Sequence, residues 1–432
     1  ELTTRYCIMT VESLLSRITF FLWIAMSSPA QRVSRIANKT YQQASNIISH
    51  QPWWLGLPND FAQWSDRFDL DAVPQLMVRS TAAIDTVLRT GLASLAGLLA
   101  IPTTLRPSLV ALDKANRAFY QRLAAEGDAE RCYPKPAPGV VMKRHKPGLL
   151  DFRPEVGHVE VLSFESAFKT LNPALQAHYS QFTRNRTAWA EHWQHGDKPR
   201  PTLIVIHGFT ADPYWLNSRF LALPWFYKQG YDILLVTLPF HGRRQERTSP
   251  FSGHGWFSHG FSHMNETMGH AIHDIRVFMN YLESLGVPQM GVTGISLGGY
   301  TSALLASVDE RLSCAIPNVP VVSIMDIVLE WFPAGWIARA GMMLGDISIA
   351  EARASVAIQS ALSFQPKIDR SRLMLIAGAG DRFAPPKHTY ILWEHWQRCR
   401  LHWFPGNHLI HLDQGRYLHA MRSFLKHIKF VP

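Results

Sequence analysis

The sequence predicts an α/β fold: a mostly parallel central sheet flanked by helices, with a helical extension before it and a helical insertion within it. Three observations predict this. Short apolar runs rich in β-branched residues recur from residue 202 to 404, with helix-patterned stretches between most of them. Several of these runs lead directly into glycine-bearing turns, as at His207-Gly208-Phe209, Gly294 to Gly298 and Gly378 to Gly380. The first 150 residues instead carry helical periodicity broken by prolines.

In the N-terminal region, helical periodicity covers Val11 to Met26, Val73 to Thr90 and Leu109 to Glu126. Pro74 falls in the first turn of the second helix, where a missing N–H costs nothing. Pro134, Pro136 and Pro138 then break the chain. The expected division is a helical region over residues 1–150 and an α/β domain over 151–432. The N-terminal region shows no motif of chemistry. It leaves four roles open: a cap over a site, a surface for peripheral membrane contact, an interface such as that of a homodimer, and a structural layer. Ile18 to Met26 and Gly91 to Ile101 are strongly apolar but too short to span a bilayer.

In the second region, His158 to Phe164 alternates and reads as an early strand, and Trp189 to His195 as an outer antiparallel one. Thr202 to Ile206 is a short continuous apolar run, the mark of a buried parallel strand. A helix over Asn217 to Gln229 stops at Gly230, and Tyr231 to Thr237 is the next strand. Phe251 to His263 is too irregular for an element and reads as a pocket-wall loop. Helix Glu266 to Ser284, strand Met290 to Thr293 and a small-residue helix from Gly299 follow, then strand Leu312 to Ile316. Residues 317–366 form a helical insertion, with helices at Ile327 to Trp331, Trp336 to Leu344 and Ile349 to Ser363. Its place over the strand ends and its crowded Trp, Phe and Met residues predict a lid. Strand Arg372 to Ala377, helix Lys387 to Gln397, strand Arg400 to Phe404 and helix Gln414 to Ile428 close the chain.

The chemistry gathers at the strand exits. Gly294-Ile295-Ser296-Leu297-Gly298 is a G-x-S-x-G pattern between a strand and a helix. Such a turn is tight enough to exclude bulk two residues either side of the serine, and it lifts the hydroxyl above the sheet edge. Ser296 is the expected nucleophile. Asp381 lies just past a strand in a glycine-rich turn, and His408 follows Gly406 at the exit of the last strand. A serine hydroxyl is a weak nucleophile at neutral pH. A histidine that takes its proton and a carboxylate that fixes the histidine's tautomer remedy this. The N–H groups of Phe209 and Leu297 are the expected oxyanion donors. His411 competes with His408 for the base but faces another way; His402 lies inside the strand, and Asp413 is a weaker rival for the acid. Thr210, Tyr214 and Trp215, after the 202–206 strand, and Trp331 and Trp336, in the insertion, are the expected substrate-binding residues. His207 is expected to fix its loop. His270, His273 and Asp274 lack a third metal-ligand spacing, so no metal is expected.

Together, His207-Gly208-Phe209, the Ser296 pentapeptide, Gly380-Asp381 with Pro385-Pro386, and Gly406-Asn407-His408 resemble the α/β-hydrolase superfamily over about residues 155 to 432. That resemblance implies a serine hydrolase of the esterase or lipase kind, with a Ser296–Asp381–His408 triad and no cofactor. The expected substrate is a small-molecule or lipid-like carboxylic ester with an apolar acyl group. Amide or peptide hydrolysis, acyl transfer, and a non-catalytic binding protein on the same fold remain the alternatives.

Composition narrows the partners. Hydrophobic residues make up 47% and charged residues 18% of the 432, the profile of a folded chain. The formal charge is +10, but no zinc-finger spacing or dense basic tract points to nucleic acid. The basic cluster Arg243, Arg244 and Arg247 reads as a solvated or salt-bridged loop. Cys7, Cys132, Cys314 and Cys399 are scattered, with neither a disulfide framework nor a metal spacing. The cytoplasm or a membrane periphery is favoured over secretion.

Overall fold

In a computed structural model, which describes residues 51–64, 75–104, 106–196, 198–210, 213–344, 346–409 and 411–432, the strands form one nine-stranded sheet. They are β1 (Lys143–His145), β2 (His158–Glu165), β3 (Thr187–Gln194), β4 (Thr202–Ile206), β5 (Asp232–Thr237), β6 (Met290–Ile295), β7 (Leu312–Asn318), β8 (Met374–Gly378) and β9 (Arg400–Phe404). The spatial order is β1-β2-β3-β5-β4-β6-β7-β8-β9. Pairs β1/β2, β2/β3 and β3/β5 are antiparallel, and the pairs from β5 through β9 are parallel. Every residue of β4, β5, β6 and β8 is buried, which is why these strands read as continuous apolar runs. β1 was not foreseen: its Lys-Arg-His sequence is wholly exposed and carries no apolar alternation.

The main helices are α1 (Gln75–Thr104), α2 (Pro107–Glu126), α3 (Tyr214–Phe220), α4 (Leu223–Lys228), α5 (Gly260–Ser284), α6 (Leu297–Val308), α7 (Ile324–Glu330), α8 (Ala334–Leu344), α9 (Ile349–Ser355), α10 (Pro386–His395) and α11 (Gln414–His427). α2 has Pro107 in its first turn and ends on left-handed Gly127, whose N–H donates to the Leu123 carbonyl. Three expectations shift. The helix expected over 217–229 is split, because Ala222 takes φ 52° between α3 and α4. α5 starts at Gly260, inside the stretch expected to be a loop. The last helix of the insertion stops at Ser355 and continues as short 3-10 turns. The expected helix over Val11 to Met26 lies outside the described residues. No helix among the described residues is long and apolar enough to cross a membrane.

Alternate residues of the strands feed two cores. Leu203, Val205, Ile233 and Leu235 pack toward α4 and α11, while Ile204, Ile206, Leu234 and Val236 pack toward α2, α5 and α6. Trp53, Phe61, Val78, Tyr120 and Leu123 belong to the second of these cores, so residues on both sides of position 150 share it. The Tyr120 hydroxyl donates to the buried Glu266 carboxylate, which also accepts the N–H groups of Leu171 (2.7 Å) and Asn172 (2.9 Å). Residues 317–366 carry α7 to α9. The buried Arg353 guanidinium donates to Asp326 and to the carbonyls of Leu57 (2.6 Å) and Pro58 (2.8 Å), tying the insertion to the N-terminal segment.

Two consequences of this topology place the site. β4 leads on to β5 on one side while its neighbour β6 leads on to β7 on the other, so the connections part at their carboxyl ends and open a crevice there. The exits of β4, β6, β8 and β9 also lie on one edge, because the strands run parallel.

Candidate active site

Ser296 joins β6 to α6 with φ 58° and ψ −115°, a conformation that costs a non-glycine residue about 1–3 kcal/mol. The surroundings hold it there. Its N–H donates to the Asn318 carbonyl (3.1 Å), and its own carbonyl accepts the Tyr300 N–H (2.8 Å). A Cβ at Gly294 would lie 2.6 Å from the Ile206 carbonyl oxygen, and one at Gly298 only 2.0 Å from it. β4 thus crosses so close beneath the turn that only hydrogen fits at either position, which accounts for both glycines of the pentapeptide.

The loop leaving β4 reaches the same turn: a Cβ on Gly208 would sit 3.6 Å from the Ser296 Cβ. His207 braces this loop. Its Nε2 accepts the Leu238 N–H (3.1 Å), which leaves the proton on Nδ1 to donate to the Gly208 carbonyl (2.8 Å). Phe209 is half-buried, with its ring against Phe257 at 5.1 Å and His241 at 5.8 Å. Leu297 is the first residue of α6, where N–H groups have no acceptor within the helix and the helix dipole is positive.

The other half of the site lies at the ends of β8 and β9. Gly378 pairs with Phe404, and the Gly380 N–H donates to the Gly406 carbonyl (2.9 Å), so the two exit loops run side by side. His408 Nδ1 and Asp381 Oδ2 are 2.7 Å apart. The other Asp381 oxygen accepts the N–H groups of Phe383 (2.9 Å) and Ala384 (2.7 Å), so the carboxylate is held on both sides. Burial by itself pushes the His408 imidazole down; the Asp381 charge, its hydrogen bond and the Asp85 charge outweigh this and hold it above its ordinary value. The Phe383 ring stacks on His408 at 5.1 Å and 25°. Trp331 meets Phe383 edge-on at 5.5 Å and donates its indole N–H to the Phe383 carbonyl (3.3 Å).

His411 is occupied elsewhere. Its Nδ1 faces the Tyr417 hydroxyl (3.0 Å) and its Nε2 the His408 carbonyl (3.2 Å); burial and the neighbouring His408 push it down to about 4. Asp413 pairs with Arg416 at 3.3 Å. His402, within β9, is pushed down to about 4, chiefly by burial.

The expected substrate-binding residues divide. Trp331 reaches His408 through Phe383. Trp336 is 73% exposed and touches the exposed Phe332 ring. Thr210 is exposed, with φ 63°. The Tyr214 hydroxyl meets Thr237 Oγ1 (2.9 Å) at the end of β5. Tyr214 and Trp215 line a cavity of about 550 Å³ with Leu149, Leu150, Thr237 and Arg243, and neither Ser296 nor His408 lines it.

Two residues of the site were missed. Phe383 is one. The other is Asp85, on α1, fully buried, whose Oδ2 accepts the N–H groups of Arg382 (2.7 Å) and His408 (3.3 Å). Burial, then the Asp381 charge, push its carboxyl up to about 6. The sequence did hold a signal: Val78, Thr81, Ala82 and Asp85 are the buried stripe of α1, spaced i, i+3, i+4, i+7, and the last is acidic.

The remaining polar groups serve the frame. Arg243 lies over the Trp189 ring (4.9 Å), and Arg244 is buried against Asp274 (2.8 Å). His270 and His273 each lie 3.1 Å from Asp274. Among the described residues, no group of three or more His, Cys, Asp or Glu is arranged to hold a metal ion. Cys132, Cys314 and Cys399 are buried and free.

A family profile described as "Alpha/beta hydrolase domain containing 18" matches residues 156–339. An uncharacterized protein of Mycobacterium tuberculosis, Rv2627c in strain H37Rv and MT2702 in strain CDC 1551, is 29% identical over 240 residues, covering 52% of this chain and 54% of the relative. The chain thus matches about half the length of these curated relatives. Among solved structures, acetyl xylan esterase 1 from Thermoanaerobacterium sp. JW/SL YS485 is similar with a TM-score of 0.49 at 16% identity, over 72% of this chain and 93% of that one. Acetyl xylan esterase from Paenibacillus sp. R4 gives 0.48 at 14%, over 72% and 94%. At such identities the likeness concerns the fold alone.

Proposed function

Since the chain belongs to the α/β-hydrolase superfamily, we propose that it is a serine hydrolase that cleaves carboxylic esters with an apolar acyl group through an acyl-enzyme. The observation that carries this reading is the 2.7 Å His408–Asp381 pair on the same sheet edge as the strained Ser296 turn.

The steps follow from which atoms are occupied. The Nδ1–H of His408 donates to Asp381, so Nε2 is the nitrogen left to accept the Ser296 proton. Ser296 Oγ attacks the ester carbonyl, and the charge that develops on oxygen meets the N–H groups of Phe209 and Leu297. Loss of one such donor costs about 3–4 kcal/mol in comparable sites. The imidazolium then gives its proton to the departing alcohol. Water, deprotonated by the same nitrogen, releases the acid and restores Ser296. The Phe383 ring on His408, backed by Trp331, favours an apolar acyl group.

The test is labelling by a fluorophosphonate, followed by turnover of p-nitrophenyl esters from C2 to C16. The reading expects labelling in the full chain, none in Ser296→Ala, and rates that peak beyond C4. Labelling that survives Ser296→Ala would sink the nucleophile assignment, and a peak at C2 would sink the apolar acyl preference.

A further inference from the structure

We propose that Asp85 is a positioning residue of this site: a carboxylate supplied by α1 that holds the Asp381 loop and the His408 loop together and sets a second negative charge beside the His408 imidazole. The proposal rests on the serine-hydrolase reading and assigns the N-terminal helix a part in it.

The geometry comes first. One oxygen of Asp85 accepts N–H groups from both catalytic loops, Arg382 at 2.7 Å and His408 at 3.3 Å. The other is buried without a hydrogen-bond partner among the described residues. A half-satisfied carboxylate in the interior is costly and calls for a physical reason. The surrounding contacts seat α1 firmly on the loops. The Asn407 amide donates to the Thr81 carbonyl (2.8 Å), and the Arg89 guanidinium donates to the Arg382 carbonyl. A Cβ on Gly380 would meet Thr81 Oγ1 at 2.5 Å and the Val78 carbonyl at 3.0 Å, so the acid loop approaches the helix at a distance only glycine permits.

The charges follow. The titratable groups facing His408 are Asp381 on its own sheet edge, Asp85 from α1, and His411 from the same loop. Those facing Asp85 are Asp381 and His408, while its near cations, Arg89 and Arg382, direct their guanidinium groups to the Arg382 and Asp381 carbonyls. The negative charge therefore acts on the imidazole. It stabilises the imidazolium that forms as Ser296 attacks, and it does so without touching substrate.

The experiment uses the full chain and two variants. Asp85→Asn keeps the size and an acceptor oxygen but removes the charge; Asp85→Leu removes both. His408 is followed by NMR titration of histidine-labelled protein, assigned with His408→Gln, and the pH profile of p-nitrophenyl ester kcat/KM is recorded alongside. In Asp85→Asn, the His408 midpoint should fall by about half a unit to one unit, the acidic limb should move to lower pH in step, and kcat should drop several-fold with KM nearly unchanged. In Asp85→Leu, kcat should fall by about 100-fold. An unshifted His408 midpoint in folded Asp85→Asn would overturn the electrostatic role, and an Asp85→Leu rate within twofold of the parent would overturn the positioning role. Absence of Ser296 labelling in the parent protein instead defeats the underlying hydrolase reading, and the His408 titration still reports on Asp85.

Discussion

Replacing Asp85 by asparagine should make the protein more stable at neutral pH while making the site worse. The carboxyl is fully buried, and burial and the Asp381 charge push it from its ordinary 3.8 up to about 6. A carboxyl with a folded-state value above its unfolded one takes up a proton on folding. Its favourable contribution is therefore complete below the unfolded value and is lost as pH rises through the folded value. Roughly two units correspond to about 3 kcal/mol of penalty carried by the charged form at pH 7.5. Asparagine escapes that penalty but accepts the two N–H groups more weakly, so a net gain of about 1–3 kcal/mol is expected, or a few degrees in the thermal midpoint. Thermal midpoints of both proteins, measured from pH 7.5 down to pH 4.5, provide the assay. The advantage of Asp85→Asn should shrink as pH falls through 6 and be small at 4.5. A variant less stable than its parent at pH 7.5, or a difference that does not change with pH, would refute the argument that a charged carboxylate is held there at a cost.

Three further outcomes follow from the geometry. Gly298→Ala places a methyl 2.0 Å from the Ile206 carbonyl oxygen, so β4 and α6 must separate; a loss of at least about 3 kcal/mol by denaturation, together with loss of phosphonate labelling, is expected. His408→Gln should lower kcat by about 10⁴-fold, whereas His411→Gln, which removes contacts to Tyr417, the His408 carbonyl and the Phe220 and Phe404 rings, should stay within about tenfold; equal losses in steady-state assays would contradict the assignment of the base. Trp331→Ala removes the ring and the N–H that hold Phe383 against His408, and kcat/KM for a C8 ester should fall about tenfold, while Trp336→Ala, at an exposed ring, should change it less than twofold.

The parts of the site legible in the sequence are those placed by the backbone. Ser296 and Asp381 follow fully buried strands, His408 follows β9, whose exit end is buried, each lies within two residues of a glycine, and parallel pairing carries strand ends to a common edge however far apart they lie in the chain. The direction of side chains beyond the first turn was not legible. Tyr214 and Trp215 also follow β4, only a few residues beyond Phe209. Yet Thr210 takes a left-handed conformation and Pro213 opens α3, and the Tyr214 side chain ends up at the close of β5. Trp331 and Trp336 lie on one insertion with similar surroundings in sequence, but among the described residues Trp331 has an acceptor, the Phe383 carbonyl, to take its indole N–H, while Trp336 is largely exposed. Such choices depend on partners that no local pattern names.

Asp85 shows where the limit lies. An acidic residue on a core-facing stripe was readable, and two physical uses were open to it. One is an ion-pair clamp, as at Asp326 with Arg353 or Asp309 with Arg276, where a buried guanidinium meets the carboxylate at 2.9 Å or less. The other is a carboxylate without a cation, whose charge remains available to a third group. Among the described residues, Asp85 bonds only to backbone N–H groups, one of which lies 297 residues along the chain, and its free oxygen is buried. A clamp would have neutralised the charge. Its retention beside the imidazole that the proposed mechanism makes positive is what a device for the site requires and a device for the fold does not.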